Sequence, residues 1–307
     1  MDVLGIISIP IGIVGVIGNS IVCVVIWHDA NLRTLTNAFI VNQAVADLLC
    51  SLVLPLQFNI PSPDPLPEGS YGEFICKVWT FEYILWLFLN TSTLGLAALT
   101  LERYLAIVFP FRYIAITGTK CLPVTLIAVT WLLSVASATL TLSTVEFSAA
   151  HNHCDVSPDL ELRNPPLHAL LIVDSVVLFF LPAILMLFAY VHIMLVLRRK
   201  ARSIQPMPSI THQHSSSNDP EVQPQEMQNA SMLRASKNVI KTLLLVFGVY
   251  IICWLPNLIA FVVQFSDQVY QLTIVLGAAN SCANPIIYAL KYKSFQAGLK
   301  KLFRRSH

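Results

Sequence analysis

The sequence predicts an all-α membrane protein: a seven-transmembrane helix bundle followed by a short amphipathic helix. Three observations carry this. The 307-residue chain is 55% hydrophobic and only 12% charged, against roughly 25% charged residues in a soluble globular chain. Seven stretches are apolar for about 20 residues or more, the length an α-helix needs to cross a bilayer. All but two of the 19 Lys and Arg fall in segments that follow odd-numbered stretches, or at their ends; the exceptions are Lys77 and Arg163. Basic residues collect on the inner side of a membrane, so the N-terminus is expected outside and the C-terminus inside, in a multi-pass membrane protein.

The spans are expected at about Leu4–Trp27, Asn37–Ile60, Val78–Val108, Cys121–Thr144, His168–Leu197, Val239–Gln264 and Val269–Leu290. The first carries Gly18-Asn19 in mid-run. The second holds Asp47 deep in an apolar helix and reaches Pro55, where a kink is expected. The third begins near Cys76 and ends on Glu102-Arg103-Tyr104. A charge pair at the end of a span is costly in hydrocarbon and marks a functional candidate. The fourth contains Trp131. The fifth has Asp174 near its outer end, Pro182 in its middle and Tyr190 further in. The sixth contains Cys253-Trp254-Leu255-Pro256, and the seventh ends on Asn284-Pro285-Ile286-Ile287-Tyr288.

Between the spans, the third inside loop, 198–236, is rich in Pro, Ser, Gln and His from Ser203 to Ser231 and reads as largely disordered. The second outer loop, Val145–Leu167, is long and polar. Residues 1–290 form the seven-span domain. In residues 291–307, Tyr292, Phe295, Leu299, Leu302 and Phe303 recur at helical spacing with lysines between them, the pattern of a helix lying on an anionic membrane surface. Eleven acids against two bases on the outer side make an acidic mouth. Such a field concentrates cations, although it is equally the remainder that the basic bias leaves behind.

Taken together and in order, Gly18-Asn19, Ala46-Asp47, Cys76 with Cys154, Glu102-Arg103-Tyr104, Trp131, Pro182 with Tyr190, Cys253-Trp254-Leu255-Pro256 and Asn284-Pro285-Ile286-Ile287-Tyr288 resemble the rhodopsin-like (class A) family of G-protein-coupled receptors. The likeness runs over all seven spans. It implies a plasma-membrane receptor that binds an extracellular ligand and activates a heterotrimeric G protein, with arrestin and receptor kinases as further partners. It implies no enzyme activity and no nucleic-acid partner.

The resemblance also assigns residues. Cys76 and Cys154, the cysteines on the oxidising side, are expected to form a disulfide. Asp47, Ser92, Asn280, Ser281 and Asn284, with Trp254, resemble the family's sodium pocket, and a carboxylate with hydroxyl and amide oxygens suits a small hard cation. The alternative is a protonated Asp47 in a hydrogen-bond network. Phe88 departs from the polar residue that some members carry. No cofactor is expected beyond an allosteric sodium ion. Glu102 is expected to hold Arg103 at rest; Tyr104, Tyr190, Trp254, Pro256, Pro285 and Tyr288 complete the activation switch. Where many members add an acid on the sixth span, this chain has Ser236, so a ligand-free basal signal is expected.

The ligand pocket is expected among the outer thirds of the third, fifth, sixth and seventh spans, with Glu82, Trp86, Asp174, Asn257, Phe261, Gln264 and Gln271 as lining residues. The aspartate that anchors amines in related receptors would fall at Leu85, and the opsin lysine at Ala278. A cationic ligand is expected, with a short basic peptide, and hence a neuropeptide receptor, favoured over a small amine bound in a non-standard way. A transporter would show repeated, interrupted half-spans, which the sequence lacks. The distance from Cys76 to Arg103 exceeds the family's usual spacing, so the third span holds either a bulge or an extra turn.

Overall fold

The computed structural model describes residues 3–117, 121–143, 145–149, 152–156, 165–203, 222–263 and 265–305. Seven helices among them are long and apolar enough to cross a membrane. Span one is α1 (Val3–His28), followed by a 3₁₀ turn, Ala30–Leu32. Span two is α2 (Leu35–Asn59). Thr34 caps it, its hydroxyl accepting from the Asn37 amide at 3.3 Å, and Pro55 lies inside it. Apolar surface faces outward along the bundle: Ile6, Ile13, Ile17, Val24, Leu132, Ile184 and Ile252 are all exposed, as lipid contact requires and an aqueous surface does not.

The third span resolves the spacing question in favour of a bulge. It opens with α3 (Gly69–Phe74) and a π-helical segment, Ile75–Thr80. The chain then turns at Phe81 and places Glu82 in the left-handed region, φ 57° and ψ 29°, before α4 (Tyr83–Val108) begins. A wide π turn and a left-handed residue absorb the additional length above α4. The register from Tyr83 to Arg103 is therefore that of one unbroken helix.

A short helix, α5 (Pro110–Thr117), follows α4. Its proline sits at the first position, where a missing amide costs nothing. α6 (Cys121–Leu142) is span four. Beyond it the loop expected to be merely long and polar forms a hairpin, β1 (Val145–Ser148) antiparallel to β2 (His153–Val156), with Phe147 opposite Cys154. Cys154 is disulfide-bonded to Cys76, with Cα atoms 5.5 Å apart. Leu66, Cys76, Val145 and Cys154 bury one another in a small cluster, so the bond pins the hairpin over the top of the third span.

Span five lies in α7 (Pro165–Ser203) and span six in α8 (Val222–Val263). These bounds correct the expectation that 198–236 is largely disordered: residues 198–203 and 222–236 are helical. The reason is composition: Arg, Lys and Ala make up most of 198–203, and Gln, Glu, Met, Ala, Leu and Arg most of 222–236, and all favour helix. Residues 204–221, with Ser215, Ser216 and Ser217, lie outside the described residues, as do Arg163 and Gln264. Span seven is divided into α9 (Asp267–Ala278) and α10 (Asn280–Lys291) by a tightening at Ala279, where Cys282 donates to the Ala279 carbonyl only three residues back. The expected surface helix is α11 (Lys293–Arg305), with Phe295 fully buried against the bundle and Phe303 exposed.

Candidate functional site

Three sites lie along the bundle axis, and their residues come from elements far apart in sequence. At the disulfide end, a cavity of about 200 Å³ opens among α4, α6, α7, α8 and α9. Trp86, Asp174, Asn257 and Phe261, all expected in the pocket, line it together with Asn90, Thr93, Ser137, Thr141, Leu178, Phe179, Tyr250, Trp254, Leu258 and Tyr270. Trp254 closes the floor, tilted against Trp86 at 6.3 Å and against Tyr250 at 6.5 Å. Asp174 is half-buried, and the Ser137 hydroxyl donates to its Oδ2 at 2.7 Å. Asn257 is turned toward span seven, its amide donating to Thr273 at 3.0 Å.

Two expected pocket residues are displaced. Glu82 and Gln271 do not line this cavity. Glu82 is buried at the left-handed turn above Trp86, and its carboxyl meets the Gln271 side chain. The reason is local: Glu82 stands at the left-handed position ahead of α4, outside the helix whose Trp86, Asn90 and Thr93 line the cavity. Leu85 is fully buried in the core, so no carboxylate stands at that turn of α4.

One level toward the basic end, Asp47 is completely buried. Ser92 donates to its Oδ1 at 2.7 Å, and Asn284 and Gln43 donate to Oδ2 at 2.8 Å and 3.3 Å. Ser281 also meets the carboxyl. Gln43 is an addition to the expected set. Its amide also donates to Ser92 at 2.6 Å, and it fits because Gly95 faces it: a Cβ there would lie 2.7 Å from the Gln43 Oε1. The signal for Gln43 was available in its position one turn before Asp47 on the same helix face. The buried oxygens Gln43 Oε1, Asn280 Oδ1 and Asn284 Oδ1 have no hydrogen-bond partner. Phe88 packs edge-on against Trp131 at 6.3 Å and adds no oxygen.

The other motif residues frame this layer. Asn19 donates to the Gly15 carbonyl at 2.9 Å and across to the Ser281 carbonyl at 3.0 Å, tying span one to span seven. Gly18 leaves the space that Pro285 occupies; a Cβ would meet the proline ring carbon at 2.9 Å. Trp131 donates its indole N–H to Asn42 at 2.9 Å, fixing span four to span two.

At the basic end, Arg103 lies between Glu102 and Thr36. Its Nε donates to Glu102 Oε2 and its Nη2 to Oε1, each at 2.5 Å, and Nη2 also donates to the Thr36 hydroxyl. Thr36 in turn donates to Glu102 Oε1 at 3.1 Å, and the Tyr113 hydroxyl donates to the same oxygen at 2.6 Å. Burial, with the Glu102 carboxylate beside it, pushes the Tyr113 hydroxyl up to about 12, so it stays a donor at physiological pH. Thr242, Leu243 and Tyr288 cover Arg103 from spans six and seven and leave a void of only about 20 Å³. Tyr190 bonds Thr100 at 2.6 Å, and Tyr104 bonds His192 at 3.0 Å. Tyr288 is buried with its hydroxyl unpartnered. Thr36 and Tyr113 were missed: nothing in their spacing marks them. Ser236 lies in α8, and its side chain is outside the described residues.

The sequence pattern of the family "7 transmembrane receptor (rhodopsin family)" matches residues 18–288. The chain belongs to this family. It is thus a seven-span membrane receptor of the G-protein-coupled class and not an enzyme or a transporter. Among its relatives, the human histamine H2 receptor is 28% identical over 305 residues, covering 95% of this chain and 76% of that receptor. The octopamine receptor beta-2R of Chilo suppressalis is 26% identical, covering 94% and 76%. The alpha-1A adrenergic receptor of Oryzias latipes is 29% identical, covering 94% and 64%. By name all three are amine receptors, so the neuropeptide expectation draws no support from them.

Proposed function

We propose that this rhodopsin-family receptor responds to a small cationic amine, which enters from outside and is held through Asp174 rather than through a carboxylate on span three. The observation that carries this reading is the placement of Asp174. It is the carboxylate among the described lining residues of an otherwise aromatic and neutral cavity, while Leu85 is apolar and buried. Trp86, Phe179, Tyr250, Trp254, Phe261 and Tyr270 offer ring faces to an ammonium. A cavity of about 200 Å³ suits a small amine better than a peptide. The amine-receptor relatives support the same choice, and the basic end faces the cell interior by the positive-inside bias.

In this reading Glu102 holds Arg103 in the resting state, under the cover of spans six and seven. Movement of Trp254 at the cavity floor, coupled through Pro256 and Pro285, opens that cover and exposes Arg103 to the G protein. Asp47, Ser92, Ser281 and the unpartnered oxygens of Gln43, Asn280 and Asn284 fit a sodium ion, whose charge would balance the buried carboxylate. The test is a panel of primary amines and short basic peptides applied to membranes, with G-protein nucleotide exchange as the readout for wild type and Asp174→Asn. Activation by an amine that is lost in Asp174→Asn supports the proposal. Activation by peptides alone, or an amine response that Asp174→Asn leaves intact, overturns it.

A further inference from the structure

Away from the ligand cavity, a groove of about 950 Å³ lies between the basic-end halves of α1 and α2 and the amphipathic helix α11. We propose that it binds an anionic phospholipid of the leaflet it faces, with the headgroup phosphate on Arg33 and His28 and an acyl chain along Cys23, Val41, Val45 and Leu302.

The walls are apolar along their length, and Arg33 and His28 sit at the rim, where α1 ends on His28 and Thr34 opens α2. The groove therefore runs from hydrocarbon depth to headgroup depth. Trp27, 79% exposed at that rim, is the residue type that settles at a membrane interface. Among the described residues, Arg33 is held in place by Trp27 and not by an acid. Its Nη2 donates to the Trp27 carbonyl at 2.9 Å, and its Cζ lies 5.7 Å from the Trp27 ring centroid. Both partners are uncharged. Asp29, the acid closest in sequence, is paired with Lys301 at 2.9 Å. A fixed guanidinium beside an apolar trough matches a molecule with a phosphate above and a chain below. A sterol would fill the trough and leave the charge unanswered. Only the identity of the leaflet, the inner one, rests on the orientation adopted above; the binding does not.

The experiment is native mass spectrometry of the full chain in mild detergent, offered phosphatidylserine and phosphatidylcholine in equal amounts, then cholesterol. A basic residue near an anionic headgroup is worth about 1 kcal/mol, or about fivefold. Wild type should retain phosphatidylserine over phosphatidylcholine at least about fivefold. Arg33→Gln should lose about that factor, and Arg33→Lys should keep the preference. Ala38→Phe, which fills the trough and leaves Arg33 and His28 in place, should lower retention of phosphatidylserine. Lys300→Gln, on the same surface but outside the groove, should change nothing. Equal retention of the two phospholipids, an Arg33→Gln variant that keeps the preference, displacement by cholesterol, or equal losses in Arg33→Gln and Lys300→Gln would each overturn the proposal.

Discussion

The Tyr113 hydroxyl donates to Glu102 Oε1 at 2.6 Å, and so a residue of the short helix α5 holds the carboxylate that holds Arg103. Glu102 is almost fully buried and accepts from Arg103, Thr36 and Tyr113 together. Each donor fixes the rotamer that the bidentate contact with Arg103 needs. The clasp on Arg103 is therefore shared between span two, span three and the helix after span three.

Removing that hydroxyl should loosen the clasp. A hydrogen bond to a charged acceptor contributes about 1.5–3 kcal/mol when buried, and the half-exposed position of Tyr113 reduces this to about 1 kcal/mol. Tyr113→Phe should raise ligand-free nucleotide exchange about fivefold over wild type in the same membranes. A baseline equal to wild type would show that Thr36 and Arg103 orient Glu102 without help.

Ser236 bears on the same equilibrium from span six. With no acid there, nothing at that position can pair with a cation of span three, and a measurable basal signal is expected. Ser236→Glu should lower it. Two baselines both at zero would remove the argument.

In the ligand cavity, Asp174 and Ser137 should separate charge from orientation. Asp174→Asn removes the anion and should weaken an activating amine by at least about thirtyfold, the effect of about 2 kcal/mol lost with one partner of a desolvated charge pair. Ser137→Ala keeps the anion and loses one neutral donor, worth about 1 kcal/mol, so potency should fall about fivefold. Equal losses in dose–response curves of the two variants would mean that Asp174 acts only through the fold.

How much of this was written in the sequence depends on range. Apolar length marked the seven spans, because it is a local sum. The long Cys76–Arg103 interval signalled an irregularity, but its form did not follow: which residue turns left-handed is decided by packing under the hairpin, and that choice moved Glu82 out of the pocket. Contacts across the fold were illegible for the same reason. Asn19 meets Ser281, 262 positions away, and Tyr113 meets Glu102 from a segment with no recognisable motif. The helical ends of 198–236 were hidden by averaging, since the Pro- and Ser-rich centre outweighed good helix formers on either side.

The cluster around Asp47 gives the last prediction. Its donors, Ser92, Asn284 and Gln43, already satisfy the carboxylate, so hydrogen bonding alone would account for a neutral polar knot. The unpartnered oxygens of Gln43, Asn280 and Asn284 favour an ion over that knot, because buried acceptors without donors are costly. Replacing potassium with sodium at constant ionic strength should therefore stabilise the purified receptor. At ten times Kd the gain is about 1.4 kcal/mol, readable as a rise in Tm. Asp47→Asn should abolish the sodium-dependent rise whatever its own Tm, and Gln43→Leu should shrink it while leaving the carboxylate in place. A wild-type Tm that is the same in both salts would return the cluster to a hydrogen-bond network with no ion.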